Sequence, residues 1–348
     1  MGERRIEAAL QGALLGTAVG DALGLPYEGM SRRRVRRLLG DRGLAHGFFL
    51  GRGMGSDDTD HACLTAIALA EQGSSPEGFA RRLARGLRWW LLTLPAGIGF
   101  GTLRGIGKLW IGFSPERSGV RSAGNGPCMR APIIGVFAHA DRALRRDLVR
   151  ASTRITHTDP RAEEGARAIA AAAAAVTARG DGEFDASAVL ERVQEEITDP
   201  DLAARLTTAG QSLDRPTEEV VLQWNQAKGI TGFVYDTVPA VLHCWLRNRG
   251  DFRTSVTEIL RCGGDTDTTA AIVGALAGAA HGPDTIPRPW LDGMMEWPRS
   301  VRWMTSLGTA LASGDPPPHY FKIALPIRNF VFLLAVYVHI FRRALPPY

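Results

Sequence analysis

Cysteine is sparse and unpatterned in this sequence. The four present, Cys63, Cys128, Cys244 and Cys262, lie far apart and form no CxxC pair. That spacing argues against a disulfide framework and a thiolate zinc site, and predicts buried thiols. A large excess of one charge is also missing. A net charge of +5 over 348 residues suits an anionic ligand but falls short of the footprint of a dedicated nucleic-acid binder. Strand-like alternation with hairpin signals is scarce. The N-terminus, MGERRIEAALQGALLG, has charges but no apolar core followed by a cleavage site, so a signal peptide is not evident and a reducing cytoplasm is the expectation.

What is present reads as globular and helical. Residues are 45% hydrophobic and 22% charged, and the chain is long enough for one large domain or two ordinary ones. Apolar residues recur at helical spacing over Ile6 to Leu23, Thr59 to Gln72, Glu163 to Arg179, Ala188 to Ile197, Val238 to Arg247, Val256 to Leu260 and Thr268 to Ala280. Ser31 stands where it could cap the basic segment RRRVRRLLG, whose Arg32 to Arg37 run reads as a solvated face. An all-α fold is therefore expected. Small residues every four positions (Gly12, Gly16 and Gly20; Gly274 and Gly278) predict helices that pack closely in a soluble bundle. Leu94 to Gly126, rich in glycine and aromatics, reads as a site-forming loop, and Asp199 to Arg215 as surface.

No convincing boundary divides residues 1–314, whereas the segment Asp315-Pro-Pro-Pro-His319 sets off 315–348. In that tail an apolar run from Phe330 to Phe341 is broken only by His339, with Pro326, Arg328 and Asn329 cutting it short upstream. It is shorter than the ~20 residues of a membrane span. A helix docked on the body is the first reading; membrane contact through 323–343, with Arg342 and Arg343 as basic flank, is the second.

Two acidic clusters carry the chemistry. GSDDTDHAC at 55–63 crowds Ser56, Asp57, Asp58, Thr59 and Asp60 ahead of an apolar helical run. Helix capping asks for one such residue and an acid in the first turn, so the surplus points to a cation. GGDTDTTAA at 263–271 repeats the pattern, with Gly263 and Gly264 permitting tight backbone geometry. Hard cations such as Mg²⁺ favour oxygen ligands, and two clusters brought together could hold a pair of ions. Competing motifs fail on spacing. Position twelve of an EF-hand lands on Ala68 or Leu276, and His61 occupies the last acidic position of a DDxxD motif. Asp265-Thr-Asp267-Thr-Thr269 does match the DxDxT nucleophile motif of haloacid-dehalogenase-like phosphatases, which requires a preceding apolar strand.

Six stretches in order resemble the ADP-ribosylglycohydrolase family: GALLGTAVGDALGLPYEG at 12–29, GSDDTDHACLTAIAL at 55–69, SAGNGPCMRAPIIG at 122–135, THTDPRA at 156–162, GFVYDTVPAVL at 232–242 and GGDTDTTAAIVGALAGAAHG at 263–282. The resemblance implies a compact all-α domain with two Mg²⁺ or Mn²⁺ ions at the base of a cleft, held by Ser56, Asp57, Asp58, Asp265, Asp267 and Thr268. It implies that Glu28, Asp57 and Asp58 serve catalysis, and that His157 lines the substrate cleft. Gly124, Asn125 and Gly126 could donate to the diphosphate, and Phe233 and Tyr235 are candidates to stack on adenine. Arg130 is left between a phosphate partner and a surface salt bridge.

The implied activity is hydrolysis of the bond between ADP-ribose and a modified acceptor, first of all a protein side chain. A non-catalytic ADP-ribose-binding or toxin-immunity protein is the alternative. Two departures stand out. Ser56 replaces the more usual threonine, and Pro95-Ala-Gly97-Ile-Gly99 lacks the aspartate of the family's DIG-type triplet, which weakens the case for an arginine-linked acceptor.

Overall fold

Several helix starts are written as a hydroxyl or carboxylate followed by proline. Ser75 accepts from the N–H of Gly78 ahead of Pro76, Asp159 from Arg161 ahead of Pro160, and Asp199 from Asp201 and Leu202 ahead of Pro200. Each side chain takes up a backbone donor that the first turn leaves unpaired, and proline at that position forfeits no hydrogen bond. The computed structural model describes residues 2–40, 43–179, 182–224, 226–343 and 345.

Along the chain run α1 (Gly2–Gly24), α2 (Arg32–Leu39), α3 (Asp57–Gln72), α4 (Pro76–Leu91), α5 (Phe100–Trp110) and α6 (Pro115–Ser118). The middle third holds α7 (Ala131–Phe137), α8 (Arg142–Arg154), α9 (Pro160–Ala178), α10 (Ala186–Gln194), α11 (Pro200–Gly210) and α12 (Thr217–Gln223). The last third holds α13 (Val234–Arg247), α14 (Phe252–Arg261), α15 (Thr266–His281), α16 (Arg288–Asp292), α17 (Val301–Ser313) and α18 (Ala324–Arg343). Among the described residues there is no β-strand, only isolated bridges. The all-α expectation holds, and all four cysteines are buried free thiols.

Three expectations change. Leu94 to Gly126 is not one loop, because α5 and α6 form inside it. Asp199 to Arg215 contains α11, whose Leu202, Leu206 and Ala209 are buried at helical spacing. The tail helix is not cut at Asn329 but starts at Ala324; Pro326 falls in its first turn, where no intrahelical donor is required.

α1 and α15 cross at the centre with almost nothing between their backbones. A Cβ placed on Gly12, Gly16 or Gly20 would sit 2.1 Å from the carbonyl oxygen of Gly278, Gly274 or Ala270 respectively. No side chain fits that gap, so the small-residue spacing is a packing seam. It continues to Gly24, where a Cβ would meet Thr266 O at 2.3 Å, and so draws the end of α1 onto the start of α15. Gly16→Ala should therefore lower stability by about 3 kcal/mol or more, since rigid backbone must move apart. Gly47→Ala, with open space around it, should be near neutral. Denaturant midpoints of the two variants check this.

Candidate active site

The first acidic cluster is set by a carboxylate that lies outside it. Asp21, fully buried in α1, accepts at Oδ2 from the N–H of Ser56 (2.7 Å), the N–H of Thr59 (3.1 Å) and Oγ1 of Thr59 (2.5 Å). It thus satisfies donors that the start of α3 leaves open, and Ser56 Oγ accepts from Asp58 N–H at 3.4 Å. Asp60, the fourth acid, turns away: it accepts from Trp90 Nε1 at 2.6 Å and pairs with the buried Arg299. Asp57 and Asp58 are left facing inward, both buried.

The second cluster reaches the same place from α15. Gly263 and Gly264 have φ of +68° and +85°, the left-handed region that glycine tolerates. A Cβ on Gly264 would lie 2.0 Å from Ile230 O. The turn is pinned by Gly264 N–H to Met30 O (2.8 Å) and Asp265 N–H to Ile230 O (2.8 Å). Thr268 Oγ1 then donates to Asp58 Oδ2 at 3.1 Å, and Asn125 Nδ2 donates to Asp265 Oδ2 at 2.7 Å. The two acidic clusters, some 200 residues apart, are therefore in direct hydrogen-bond contact.

Their electrostatics are those of anions with too few cations. Burial, then the charges of Asp21, Glu28 and Asp60, hold the Asp57 carboxyl well above its ordinary range. Burial, then Asp21, Asp57 and Asp265, do so for Asp58; burial, then Glu28, Asp265 and Asp58, do so for Asp267. Asp21 is pushed up to about 6 by burial, against the opposing bonds from Thr59 and Ser56. Asp21 Oδ1, Asp58 Oδ1 and Asp267 Oδ1 are buried with no hydrogen-bond partner, and such orphaned acceptors call for a ligand. The donor set is all oxygen, as a hard divalent cation requires. No three His, Cys, Asp or Glu side chains among the described residues converge tightly enough to enclose an ion alone. Ligation here would draw also on the Ser56 and Thr268 hydroxyls, on water or on substrate.

The remaining candidates are brought around this cluster in unequal ways. Glu28 lies on the exposed side, just after the Leu25–Tyr27 turn. Its carboxyl is pushed up by partial burial and by Asp265, with Arg343 opposing. Gly97, with φ +84°, is the loop residue whose Cβ position comes within 4.0 Å of Asp57 Oδ1. His157 is buried beneath the Gly124–Gly126 loop, with Nδ1 2.9 Å from Thr156 Oγ1. Burial and Arg130 push it down to about 3, so it is neutral. Gly124 stays partly open, while Asn125 and Gly126 are buried. Asn125 is committed within the protein: its N–H bonds Gly232 O and its amide bonds Asp265 and Thr237. Phe233 is half-buried beside Gly124, with the Arg161 guanidinium 5.4 Å above its ring, whereas Tyr235 is in the core.

Arg130 is wholly buried and donates to Ser152 O and Thr156 Oγ1, so it forms no surface salt bridge. The phosphatase reading loses its context too, because α14 rather than a strand precedes Asp265. Sequence reasoning missed Asp21 and the roles of Thr59 and Asp60. The available signal was an aspartate inside the otherwise apolar GTAVGDALG.

A separate clamp holds the approach to Ser56. Gly55 N–H donates to Glu296 Oε1 (2.6 Å), and its carbonyl accepts from Arg328 Nη2 (2.6 Å), a residue of α18. Arg328 and Glu296 form a buried ion pair at 2.5 Å. Two sizeable cavities lie away from the carboxylates, about 690 Å³ beside Arg36, Arg253 and Arg261, and about 810 Å³ between Trp89, Trp90 and Tyr320.

An all-α body in which buried carboxylates from two helix starts converge is the scaffold of a glycoside-hydrolysing family. A model of the ADP-ribosylglycohydrolase family matches residues 3–318, and the chain belongs to that family. The ADP-ribosyl-[dinitrogen reductase] glycohydrolase of Rhodospirillum rubrum is 28% identical, with 87% of this chain and 96% of that protein covered. The human ADP-ribosylhydrolase ARH3 is 26% identical, covering 83% of this chain and 90% of its own. A solved structure titled "ADP-ribosylglycohydrolase-related protein complex" superposes with a TM-score of 0.69 at 27% identity, over 89% of this chain and 99% of that one.

Two outcomes are expected. A carboxyl with a raised folded pKa holds its proton longer folded than unfolded, so its ionisation favours unfolding. Metal-free protein should lose stability as pH rises from about 4 through 6 and beyond, and Mg²⁺ should restore it. Melting curves at about pH 5 and pH 8, with EDTA or Mg²⁺, test this; a pH-indifferent metal-free melting point would contradict it. Separately, Glu296→Gln should cost about 3–5 kcal/mol by leaving Arg328 buried and unpaired, read by chemical denaturation.

Proposed function

We propose that this chain hydrolyses the glycosidic bond between ADP-ribose and a modified acceptor, first of all a protein side chain, with two Mg²⁺ or Mn²⁺ ions as cofactor. The observation that carries this reading is the set of unpartnered, buried carboxylate oxygens where α3 and α15 begin. Membership of the family supports the substrate class, and the R. rubrum relative, an ADP-ribosyl-[dinitrogen reductase] glycohydrolase, is consistent with it.

Cleavage at the anomeric carbon builds positive charge on the ribose ring, which a cluster of anions stabilises. Ser56, Asp57, Asp58, Asp265, Asp267 and Thr268 would hold the ions. Bound there, the ions supply Lewis acidity toward ribose hydroxyls and an acidified water. Hydrogen bonds from Asn125 and Thr268 orient the carboxylates of Asp265 and Asp58. Glu28, at the exposed side with a raised pKa, is placed to move the proton; a carboxyl nearer neutrality serves that task better. Gly124 and the Phe233 ring border the open side and are suited to the diphosphate and the adenine, while the neutral His157 supports the loop from beneath.

The loop over Asp57, Thr93 to Gly99, has no acidic side chain to pair with a guanidinium leaving group. That favours a neutral, oxygen-linked acceptor over arginine.

Free ADP-ribose should be released from serine-linked peptides faster than from arginine-linked ones, and EDTA should abolish release. Asp57→Asn and Asp267→Asn should each lower kcat/KM by about 100-fold or more while remaining folded. Tight ADP-ribose binding with no release from either linkage would make the chain a binding protein instead.

A further inference from the structure

α18 turns three polar residues of its apolar stretch away from water. Arg328, Asn329 and His339 are buried against the body together with Leu325, Phe332 and Ala335. Arg328 bonds Gly55 and Glu296, Asn329 Nδ2 donates to Thr93 Oγ1 at 2.8 Å, and His339 Nε2 lies 3.0 Å from Pro26 O. The opposite face carries Ile327, Phe330, Leu334, Tyr337, Val338 and Phe341, each between 49% and 73% exposed. Arg328 is the only charged residue between Ile323 and Phe341, and it is turned inward. A helix on a water-facing surface has the opposite arrangement.

The comparison with α1 sharpens the point. The segment Gly2–Tyr27 is also long and apolar, with a mean hydropathy of 1.3, but 89% of that window is buried, as befits a core helix. For α18 the figures are 1.7 and 33%. Its apolar surface is therefore not consumed by the fold.

Charge indicates what covers it. Lys322 precedes the apolar stripe and Arg342 follows it. α2 lies beside the same end, tied by Arg34 Nη2 to Arg343 O at 2.9 Å, and carries Arg33 and Arg37 on its exposed side, with Arg36 paired to Glu218 at 3.5 Å. A second copy paired on this face in either orientation would set basic ends against basic ends. A span would pull Arg328, Asn329 and His339 off their partners and into hydrocarbon. A helix lying in the plane of an anionic bilayer meets neither cost: its apolar face enters the acyl boundary while the flanking cations meet headgroups.

We propose that the outward face of α18, with the basic residues of α2 at its edge, docks this protein on anionic membrane surfaces. The bonds from α18 to Pro26, Gly55 and Thr93 then hold the carboxylate cluster close to the bilayer, within reach of membrane-attached acceptors. The proposal stands apart from the catalytic reading, since it needs only α18 and its rim.

Flotation of the full chain with lipid vesicles tests it. With phosphatidylcholine vesicles containing about a quarter phosphatidylglycerol at about 0.1 M salt, the protein should float at least about tenfold better than with phosphatidylcholine alone. Raising salt to about 1 M should weaken the binding. The exposed triple variant Phe330→Glu/Leu334→Glu/Phe341→Glu should keep its melting temperature and lose flotation. Arg33→Glu/Arg37→Glu should lose the preference for anionic lipid. The proposal is overturned if the full chain stays with the soluble fraction as a monomer, or if the triple variant floats as well as the parent. A dimer in light scattering that the triple variant dissociates would also overturn it, by assigning the face to a second copy.

Discussion

Carboxylates repel one another more strongly as water is withdrawn from between them, and this fold withdraws the water deliberately. Asp21, Asp57, Asp58 and Asp267 are buried within one another's fields, with Glu28 and Asp265 beside them. Arg343, reaching Glu28 from the tail, and the buried Arg130 near Asp57 are cations that oppose these charges. Gathered in this way, the carboxyls of Asp57, Asp58 and Asp267 are held well above their ordinary range, chiefly by burial. Asp58 Oδ1 and Asp267 Oδ1 lie buried among these charges with no hydrogen-bond partner.

The surrounding architecture can be understood as what forces the crowding. The glycine seam lets α1 lie directly on α15, which carries Asp21 to the start of α3 and sets Gly24 against Asp267. Asp21 then caps α3 alongside Ser56, taking up the N–H groups of Ser56 and Thr59. Asp60 and Arg299 neutralise each other on the outer side, leaving one fewer acid to accommodate. The tail contributes from beyond the family-matched region: Arg328 of α18 grips Gly55, the residue ahead of Ser56, together with Glu296 of the body. Site geometry, helix packing and tail docking are thus one mechanical unit.

The all-α fold and its close helix seam were legible in the residues, and the convergence of the two acidic clusters was signalled there too. The surplus of acids over what a cap needs pointed to a cation, and the every-fourth-residue glycines pointed to close helices. Helices were missed where their apolar stripe is interleaved with arginine, as in α4, although Phe79, Leu83, Leu87 and Trp90 mark its buried face. Asp21 was invisible because its role is long-range: nothing near it in sequence shows that it will cap α3. Asn125 was read as a ligand donor, but tertiary contacts spend its amide on Asp265 and Thr237. The tail's inverted polarity could not be seen from composition, since only packing reveals which side Arg328 and His339 face.

Spectroscopy of bound Mn²⁺ would show whether α3 and α15 hold divalent cations jointly, as proposed. Titration followed by electron paramagnetic resonance should show a spin-coupled pair of ions, lost in Asp58→Asn and lost equally in Asp267→Asn. A signal from isolated Mn²⁺ that survives removal of either cluster would contradict the account.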